Sequence, residues 1–247
     1  MKKLLIIGGG LAVVALVAFV ALQFFLGSVV TAGVNNFAPK LTQTKVVLNS
    51  ATISPLTGSG TLSGLVVGNP KGWSDANLCS LGKVHIDVAP FSILGDHIIV
   101  NEIIIEAPEF NYETKIIASN VADLLKNIEA AMGGGKDAAP TATTKTGQPI
   151  KIAVKKFRLA KGKVRLGLAG TAMTLPMPDI ELNELGTAEG GITPDQLVFA
   201  VMRSVTTSIV SATTQAAGQI GGTSGAAAVE GAKKAVEGIK GLFGGKK

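Results

Sequence analysis

The sequence predicts an α+β protein in which an N-terminal transmembrane helix is followed by a bent, mainly antiparallel β-sheet with an apolar concave face and flanking helices. Two observations support this fold class. An apolar run, Leu4–Leu26, precedes the first acidic residue, Asp75. Farther along, short segments rich in Val, Ile and Leu alternate with polar residues as half-buried strands do, and helix-start residues follow at Asn120 and Thr193.

The apolar run is long enough to cross a bilayer. At about 1.5 Å per residue it makes roughly 35 Å of helix, against a hydrocarbon core of about 30 Å. Lys2 and Lys3 precede it and favour a cytoplasmic N-terminus. The sequence therefore predicts a single-pass inner-membrane protein whose bulk is periplasmic. A signal peptide cleaved near Val30-Thr31-Ala32 is the alternative, although the apolar run exceeds the usual length for one.

The same segment imitates a nucleotide-binding turn, which the surrounding residues exclude. Gly8-Gly9-Gly10 follows an apolar stretch, but a dinucleotide fingerprint needs an amphipathic helix next and an acidic residue about 20 positions later. No acid precedes Asp75, and the following segment is apolar on all sides. No cofactor is therefore expected.

Residues that catalyse reactions or bind metals are sparse. His85 and His97 are the only histidines, and no GxSxG, HExxH or CxxC motif occurs. The two histidines could face each other across a sheet, yet a metal site needs further ligands. The single cysteine, Cys79, is expected to be a small buried hydrophobe. The sequence therefore predicts a protein that is not an enzyme, with no catalytic residue and no metal site.

Composition divides the chain into three parts. Residues 1–30 hold a cytoplasmic stub and the anchor, and residues 31–215 form a β-rich extracytoplasmic domain. Within that domain, residues 133–149 are rich in Gly, Ala, Thr, Lys and Pro, as flexible linkers are. Residues 216–247 contain a Gly-rich break and a basic amphipathic helix at about 226–243, which docks either on the domain or on a membrane.

The first strands are predicted from alternation and from glycine positions. Residues 44–53 form one strand, and residues 58–70 form a second strand bent by its glycines. Residues 82–94 alternate apolar and polar side chains, as a half-buried strand does. Gly95-Asp96 then predicts a tight hairpin turn.

The return strand of this hairpin is expected to run from His97 to about Tyr112. Its triplets Ile98-Ile99-Val100 and Ile103-Ile104-Ile105 place apolar side chains on both faces, so both faces must be covered. The protein itself covers one face, and a helix, a partner or an acyl chain covers the other.

The second half of the chain predicts a helix, three strands and another helix. They are expected at Asn120–Met132, 150–159, 163–169, 171–185 and 193–212. Asn120 is the expected N-cap of the first helix, and residues 160–162 are expected to join the next two strands as a hairpin. Prolines in the segment 171–185 make it an edge strand.

Basic residues cluster between positions 151 and 165 with no acidic residue among them. Beside a membrane anchor, anionic lipid head groups are a natural partner for such a cluster, and a solvated strand face is the alternative. The predicted topology keeps nucleic acid out of reach. The candidate head-group contacts are Lys151, Lys155, Lys161, Lys163 and Arg165. The candidate lipid-facing residues are Val84, Ile86, Val88, Ile99, Ile103, Ile105, Ile150, Ile152 and Val154.

Three segments together resemble the AsmA-like bacterial envelope proteins. They are Ile53-Ser-Pro-Leu-Thr-Gly-Ser-Gly-Thr-Leu-Ser-Gly-Leu-Val-Val-Gly-Asn-Pro-Lys-Gly-Trp73, Leu81-Gly-Lys-Val-His-Ile-Asp-Val-Ala-Pro-Phe-Ser-Ile-Leu94, and Ile103-Ile-Ile-Glu-Ala-Pro-Glu-Phe110, followed by Asn120 at the helix start. With the anchor, the resemblance covers about half of the chain. It implies an inner-membrane anchor, a periplasmic curved sheet with an apolar groove, and a role in moving phospholipid or maintaining the outer membrane. It implies no catalytic residue.

This chain is shorter than the larger members of that family, which carry a long central β-structure. At about 4.8 Å between neighbouring strands, its sheet is only a few tens of ångströms across, so a monomer is not expected to bridge two membranes.

Two functions are therefore expected. The first is phospholipid handling through an apolar β-groove, and the alternative is a non-enzymatic structural or scaffold module of the envelope with a protein-filled core and possible envelope protein partners. The deciding observation is whether Ile98–Ile105 faces an open groove or a filled core.

Overall fold

The computed structural model describes residues 2–115, 118–133, 143, 147–168, 171–188 and 190–220. Over these residues the chain forms a long N-terminal helix, a sheet of nine strands and two further helices. The helices are α1 (Lys2–Thr42), α2 (Asn120–Met132) and α3 (Pro194–Ile220). The strands are β1 (Val46–Ile53), β2 (Ser59–Gly68), β3 (Asn77–Val88), β4 (His97–Glu106), β5 (Glu109–Tyr112), β6 (Lys151–Ala160), β7 (Lys163–Leu168), β8 (Thr171–Pro176) and β9 (Ile180–Leu185). The predicted α+β class is confirmed.

Consecutive strands lie end to end in this sheet and form long ribbons. β4 and β5 both pair with β3, β6 and β7 pair in parallel with β4 and β5, and β9 and β8 pair antiparallel with β6 and β7. β2 and then β1 complete the sheet on the other side of β3. The one parallel step follows from the crossover that contains α2, because parallel strands cannot be joined by a tight turn.

An irregular position in each ribbon lies at the same level across the sheet. Read across from β2, the ladders align Gly64, Gly82, Ala107, Lys161 and Pro178, which we call the bulge row. Gly64, Ala107 and Lys161 have left-handed φ angles of 66°, 49° and 57°. Pairing between neighbouring ribbons continues one to one through this row, so the left-handed residues interrupt the ribbons at one shared level without shifting their register.

The bulge row also changes which side chains face the core. On β3, Leu81 and Val84 are both buried, whereas Gly82 and Lys83 between them are exposed. Strict alternation would place Leu81 and Val84 on opposite faces. The alternation of buried and exposed side chains on β3 therefore shifts by one residue at the bulge row.

The predicted hairpin at residues 160–162 is wrong. β6 and β7 run in the same direction, and both are parallel to the ribbon of β4 and β5. At the interruption, the Lys161 N–H donates to Asp179 Oδ1 at 3.0 Å and the Lys163 N–H donates to the Pro108 carbonyl at 2.9 Å. A Lys-Gly pair is a common turn signal. Here these two hydrogen bonds to neighbouring ribbons keep the chain running on in the same direction.

Two other connections also differ from the prediction. The strand expected from His97 to Tyr112 is interrupted between β4 and β5. The tight turn at Gly95-Asp96 is wrong, because β3 ends at Val88 and the following loop contains a 3-10 turn, Ser92–Leu94. Ser92 Oγ donates to the Ala89 carbonyl at 2.7 Å and accepts from the Ile99 N–H at 3.0 Å, so side-chain hydrogen bonds build this longer loop.

The helices α2 and α3 provide the apolar layer of the core. Ile128 of α2, Val154 of β6 and Ile209 of α3 are each fully buried and belong to one continuous cluster. The predicted bounds of α2 are confirmed, but its N-cap is Ser119, whose Oγ accepts from the Ala122 N–H at 3.3 Å. The apolar face that the sequence predicts is therefore packed under helices.

The helix α1 is much longer than the predicted anchor. It continues past residue 30 to Thr42, and its 41 residues make roughly 60 Å of helix. Its second half runs antiparallel to β1 and covers that edge strand. Asn35 accepts from the Leu48 N–H at 2.7 Å and donates to the Leu48 carbonyl at 3.1 Å, as a neighbouring strand would.

The first half of α1 leaves the domain. Its large exposed apolar side chains are Val13, Val14, Leu16, Val17, Val20, Leu22, Phe24 and Phe25, with Val29 farther along. Among the described residues, Val13–Thr42 and Pro194–Ala216 are long and apolar enough to cross a membrane, with mean hydropathies of 2.5 and 1.3. The second of these packs in the core as α3, which leaves α1 as the helix that fits a membrane span.

Two expectations lie largely outside the described residues. The C-terminal amphipathic helix at 226–243 falls entirely outside them. Of the linker at 133–149, only Gly133, Thr143 and residues 147–149 are described.

We expect opposite effects from alanine at two glycines of α1. A Cβ on Gly27 would collide with the Ala51 carbonyl oxygen, whereas a Cβ on Gly33 meets nothing within 4 Å. Gly33→Ala should stabilise the protein by up to about 1 kcal/mol through helix propensity, and Gly27→Ala should destabilise it by roughly 1–3 kcal/mol through overpacking. Urea unfolding of the full chain in detergent, followed by Trp73 fluorescence, measures both. Equal effects of the two variants would contradict the α1–β1 packing.

Candidate functional site

The direction of α1 defines two ends of the domain. The helix runs towards Thr42, and β1 returns alongside it so that Ala51 lies beside Gly27. The end nearest the exposed half of α1 therefore carries the β1–β2 loop, the β3–β4 loop and the segment 186–193, and we call it the helix-entry end. The opposite end, with the β2–β3 loop and the start of α2, is the far end.

Most of the candidate lipid-facing residues lie in the core or pack against it. Val84, Val88, Ile105 and Val154 are 4%, 6%, 7% and 0% exposed and belong to the core. Ile86, Ile103 and Ile152 are half-buried and pack against the same core, and Ile99 and Ile150 are also half-buried. Because residues of α2 and α3 belong to this core as well, protein covers the side of the sheet on which these residues lie, and a lipid-facing role for them stays a prediction.

The triplets of β4 are covered by protein on the core side. Val100 and Ile105 are buried, and Ile98 and Ile103 pack against the core. The remaining members, Ile99 and Ile104, are half-buried. The strand that most strongly suggested a lipid groove is thus largely enclosed.

The candidate head-group cations are all exposed, but most of them lie far from the helix-entry end. β6 and β7 continue one line from Lys151, at the helix-entry end, towards Arg165. At about 3.3 Å per residue, Lys163 lies roughly 40 Å beyond Lys151. Among the five candidates, Lys151 is the one placed at the level of the helix-entry end.

Acidic residues on neighbouring ribbons balance this basic run. Lys156 Nζ lies 3.1 Å from Glu102 Oε1. Arg158 approaches Asp179, and Lys161 approaches Glu106, both at 3.9 Å. Residues 151–165 contain no acidic residue in the sequence. In the folded sheet, acidic side chains of neighbouring ribbons lie beside them, so this face is solvated and carries charges of both signs.

A second irregular row lies nearer the helix-entry end and is polar. It aligns Asn101, Lys155 and Glu184, and Glu184 has a left-handed φ of 55°. Lys155 Nζ donates to Asn101 Oδ1 at 3.0 Å, and Asn101 Nδ2 donates to Asp87 Oδ1 at 2.8 Å. Lys155 is thus engaged with protein partners rather than aimed at a lipid surface.

A cleft of about 590 Å³ opens between α1 and the edge of β1. It begins beside the last apolar turns of the exposed half of α1, at Phe24, and extends to Asn35. The wall is lined by Gln23, Phe24, Gly27, Ser28, Thr31, Ala32, Asn35 and the β1 residues 49–52. The lining is mixed, since Phe24, Ala32 and Ala51 alternate with hydroxyl and amide side chains.

A wider groove of about 690 Å³ lies between the edge strand β9 and α3. Ile180 and Leu182 form its floor, and Ser208 on α3 donates to the Pro178 carbonyl at 3.0 Å. The groove follows the edge of the sheet and is shallow and open.

The far end contains a polar cluster that sequence reasoning missed. Asn120, the predicted N-cap, is completely buried. Its side-chain amide links the start of α2 to the end of β5 and to Asn69 after β2. Its Oδ1 accepts from the Glu113 and Val121 N–H groups at 3.1 and 2.9 Å. Its Nδ2 donates to Asn69 Oδ1 at 2.8 Å and to the Asn111 carbonyl at 2.7 Å, so every hydrogen-bonding position of the amide is filled.

The β2–β3 loop is tied into the same cluster. Trp73 Nε1 donates to Asp123 Oδ2 at 2.9 Å, and Lys115 Nζ lies 4.6 Å from the centre of the Trp73 ring. Ser74 Oγ forms a short hydrogen bond to Glu113. The Asn-Pro-Lys-Gly-Trp turn was the sequence signal for this cluster, and its role here is to join α2 to the sheet.

The histidines do not form a site together. His85 pairs across the sheet with Thr61 and Ile104, whereas His97 pairs with Lys151. Over the described part of the chain, no group of three or more His, Cys, Asp or Glu side chains is placed to hold a metal ion.

Cys79 is buried, as predicted. Burial raises the pKa of its thiol to about 12, so the reactive thiolate is suppressed at neutral pH. Burial also raises the pKa of Tyr112. Both groups lie in the core beneath α2, and both have the electrostatics of packing residues.

No protein-family model, curated protein or solved structure matches this chain. The resemblance to AsmA-like envelope proteins therefore stays a prediction from the quoted residues.

We expect Asn120→Ala to be strongly destabilising. The change leaves the Glu113 N–H, the Asn111 carbonyl and Asn69 Oδ1 without the amide, and an unsatisfied buried group costs about 1–3 kcal/mol. Asn183→Ala, on an exposed position of β9, is the matched control and should change stability by no more than about 0.5 kcal/mol. Urea unfolding of both variants decides the matter. A decrease in the free energy of unfolding of less than about 1 kcal/mol for Asn120→Ala would refute the linking role of this amide.

We also expect Cys79 to contribute a specific alkaline loss of stability. The folded state keeps this thiol proton up to about pH 12, whereas the exposed thiol has an ordinary pKa of 9.0. Proton release by the unfolded state therefore lowers the free energy of unfolding as pH rises above about 9.

The measurement is the urea midpoint at about pH 8 and about pH 10.5. Between these two values the wild-type protein should lose more stability than Cys79→Ala does, while Ser80→Ala, an exposed neighbour on β3, should follow the wild type. Parallel losses in all three proteins would contradict the burial of the thiol. Tyr112 titrates in the same direction in all of them and cancels from the comparison.

Proposed function

We propose that this chain is a membrane-anchored, non-enzymatic structural module of the bacterial cell envelope, with α1 in the inner membrane and the α+β domain in the periplasm. The observation that carries the proposal is the closed core. α2 and α3 cover the apolar face of the sheet, and Val100, Ile105 and Val154 are buried beneath them. The apolar face of the sheet is therefore already covered by other parts of the same protein.

The exposed half of α1 supports the anchor part of the proposal. Its apolar side chains face no protein in the described structure, which in a soluble protein would be a large unpartnered apolar surface. The span Val13–Thr42, which begins in this half, has a mean hydropathy of 2.5 and suits a bilayer. Lys2 and Lys3 favour a cytoplasmic N-terminus by the positive-inside rule.

The charged face of the sheet supports the scaffold part. Opposite charges face each other across the strands, as Lys156 and Glu102 do at 3.1 Å. Exposed pairs of this kind contribute little to stability, and a surface of mixed sign suits specific protein contacts better than attraction to an anionic bilayer.

Phospholipid handling remains a second candidate, at a different place from the one the sequence suggested. The cleft between α1 and β1 opens where the apolar helix meets the domain. An acyl chain that left the bilayer along Phe24 would enter this cleft and reach Ser50. This candidate depends on the cleft and not on the core face of the sheet.

Photo-crosslinking of the full chain in native membranes tests both candidates. p-Benzoylphenylalanine is placed at position 103 on the core face, at position 50 in the cleft and at position 16 in the exposed half of α1. Position 86, half-buried beside Ile103, provides a second core-face probe if the first disturbs folding. The readout is the mass of the adduct, either phospholipid or peptide.

The structural module predicts phospholipid adducts at position 16 and only intrachain peptide adducts at positions 103, 86 and 50. Phospholipid at position 50 as well as at position 16 would support lipid handling through the cleft. Phospholipid at positions 103 and 86 would overturn the closed core and restore the β-groove. An absence of lipid adducts at position 16 would refute the membrane anchor itself.

A further inference from the structure

Two loop tips at the helix-entry end present apolar side chains to the outside. Leu56 in the β1–β2 loop is 74% exposed, and Phe91 in the β3–β4 loop is 85% exposed. Among the described side chains, they are the large hydrophobics that are exposed outside α1. An isolated exposed hydrophobe needs no explanation, but these two lie on adjoining loops.

Both loops are built so that their tips are held outward. In the first, the Ser54 N–H donates to the Ser59 carbonyl at 2.8 Å and the Gly58 N–H donates to the Ser54 carbonyl at 2.9 Å. In the second, Ser92 fixes the 3-10 turn that follows Phe91. The apolar tips therefore project from hydrogen-bonded turns.

The two loops are also locked to each other. The Val88 N–H donates to the Gly58 carbonyl at 3.1 Å. Gly58 has a left-handed φ of 74°, and a Cβ at this position would strike the Val88 carbonyl oxygen. Leu56 and Phe91 thus move as one unit with the end of the sheet.

The segments around the two tips carry no charge. Ser54-Pro-Leu-Thr-Gly58 and Ala89-Pro-Phe-Ser-Ile-Leu-Gly95 contain no Asp, Glu, Lys or Arg. The first charged residue is Asp96, the last residue of the β3–β4 loop, and Lys151 lies opposite His97 on the neighbouring strand. The two tips therefore form a small uncharged apolar surface bordered by charged residues.

The level of the tips relative to α1 identifies their partner. From Ala51, which lies beside Gly27, the end of β1 and its turn carry Leu56 roughly 10 Å towards the N-terminal half of the helix. That distance corresponds to about seven helical residues, which places Leu56 level with the exposed turn at Val20. A bilayer crossed by this half of α1 would reach the tips.

We propose that Leu56 and Phe91 insert into the interface of the bilayer that α1 crosses, so that the domain docks on the membrane at three places instead of hanging from one helix. Burial of about 5–10 Å into the interface is the usual depth for side chains of this kind. The proposal rests on the proposed membrane anchor. It assigns these loops a lipid-facing role that is independent of the cleft and of the core.

The native Trp73 makes the test internally controlled. It is the single tryptophan of the chain and lies at the far end, about the length of β2, or roughly 33 Å, from the tips. Phe91→Trp and Leu56→Trp each add one reporter at a tip, and Leu16→Trp adds one in the exposed half of α1, about one helical turn beyond the level of the tips. The full chains are reconstituted in phosphatidylcholine–phosphatidylglycerol vesicles that contain lipids brominated on the acyl chains, and fluorescence is compared with unbrominated vesicles.

Docking predicts loss of the added fluorescence for Phe91→Trp, Leu56→Trp and Leu16→Trp, while the Trp73 signal of the wild type is unchanged. Combining Phe91→Trp with Leu56→Ser should reduce the quenching at position 91, because one anchor point is removed. Quenching at position 16 without quenching at either tip would overturn the docking and leave the anchor standing. Lack of quenching at position 16 would show that the anchor has failed, and quenching of Trp73 would show the opposite orientation of the domain.

Discussion

The packing of one helix along one edge strand organises this molecule. The second half of α1 covers β1, with Asn35 bonded to both backbone groups of Leu48 and Gly27 pressed against Ala51. Exposed edge strands invite pairing with other chains, and here α1 occupies that edge. Because the same helix continues away from the domain as an exposed apolar segment, the contact also fixes which end of the sheet lies nearest that segment.

The orientation set by this contact gives different roles to the two ends. The helix-entry end carries the exposed loop tips Leu56 and Phe91, and the far end is closed by the hydrogen bonds of Asn120. Between them, the bulge row interrupts the ribbons at one level. Because every ribbon is interrupted at the same level, the ladders keep one register on both sides of the row.

Some elements were predictable because their signals are local. The bounds of α2 follow from its apolar stripe and the glycine after it, and the burial of Cys79 follows from the general tendency of a lone cysteine to behave as a small buried hydrophobe. The candidate site was harder to predict, because Val84, Ile105 and Val154 are apolar in the same way whether they face a lipid or a helix. The hairpin at residues 160–162 was wrong because Lys161 adopts its left-handed conformation between two neighbouring ribbons, and no local pattern reports those neighbours.

The sequence alone determined the apolar N-terminal helix, the α+β class and the scarcity of catalytic groups, since each depends on composition or on short-range periodicity. The tertiary structure decided what covers the sheet, which acids face the basic run and which loops lie beside the exposed helix. These depend on contacts between residues far apart in the chain, such as Lys156 with Glu102 and Gly58 with Val88. A contact between residues far apart in the chain does not change the local sequence pattern around either residue. The same local pattern could therefore occur in a different fold without that contact.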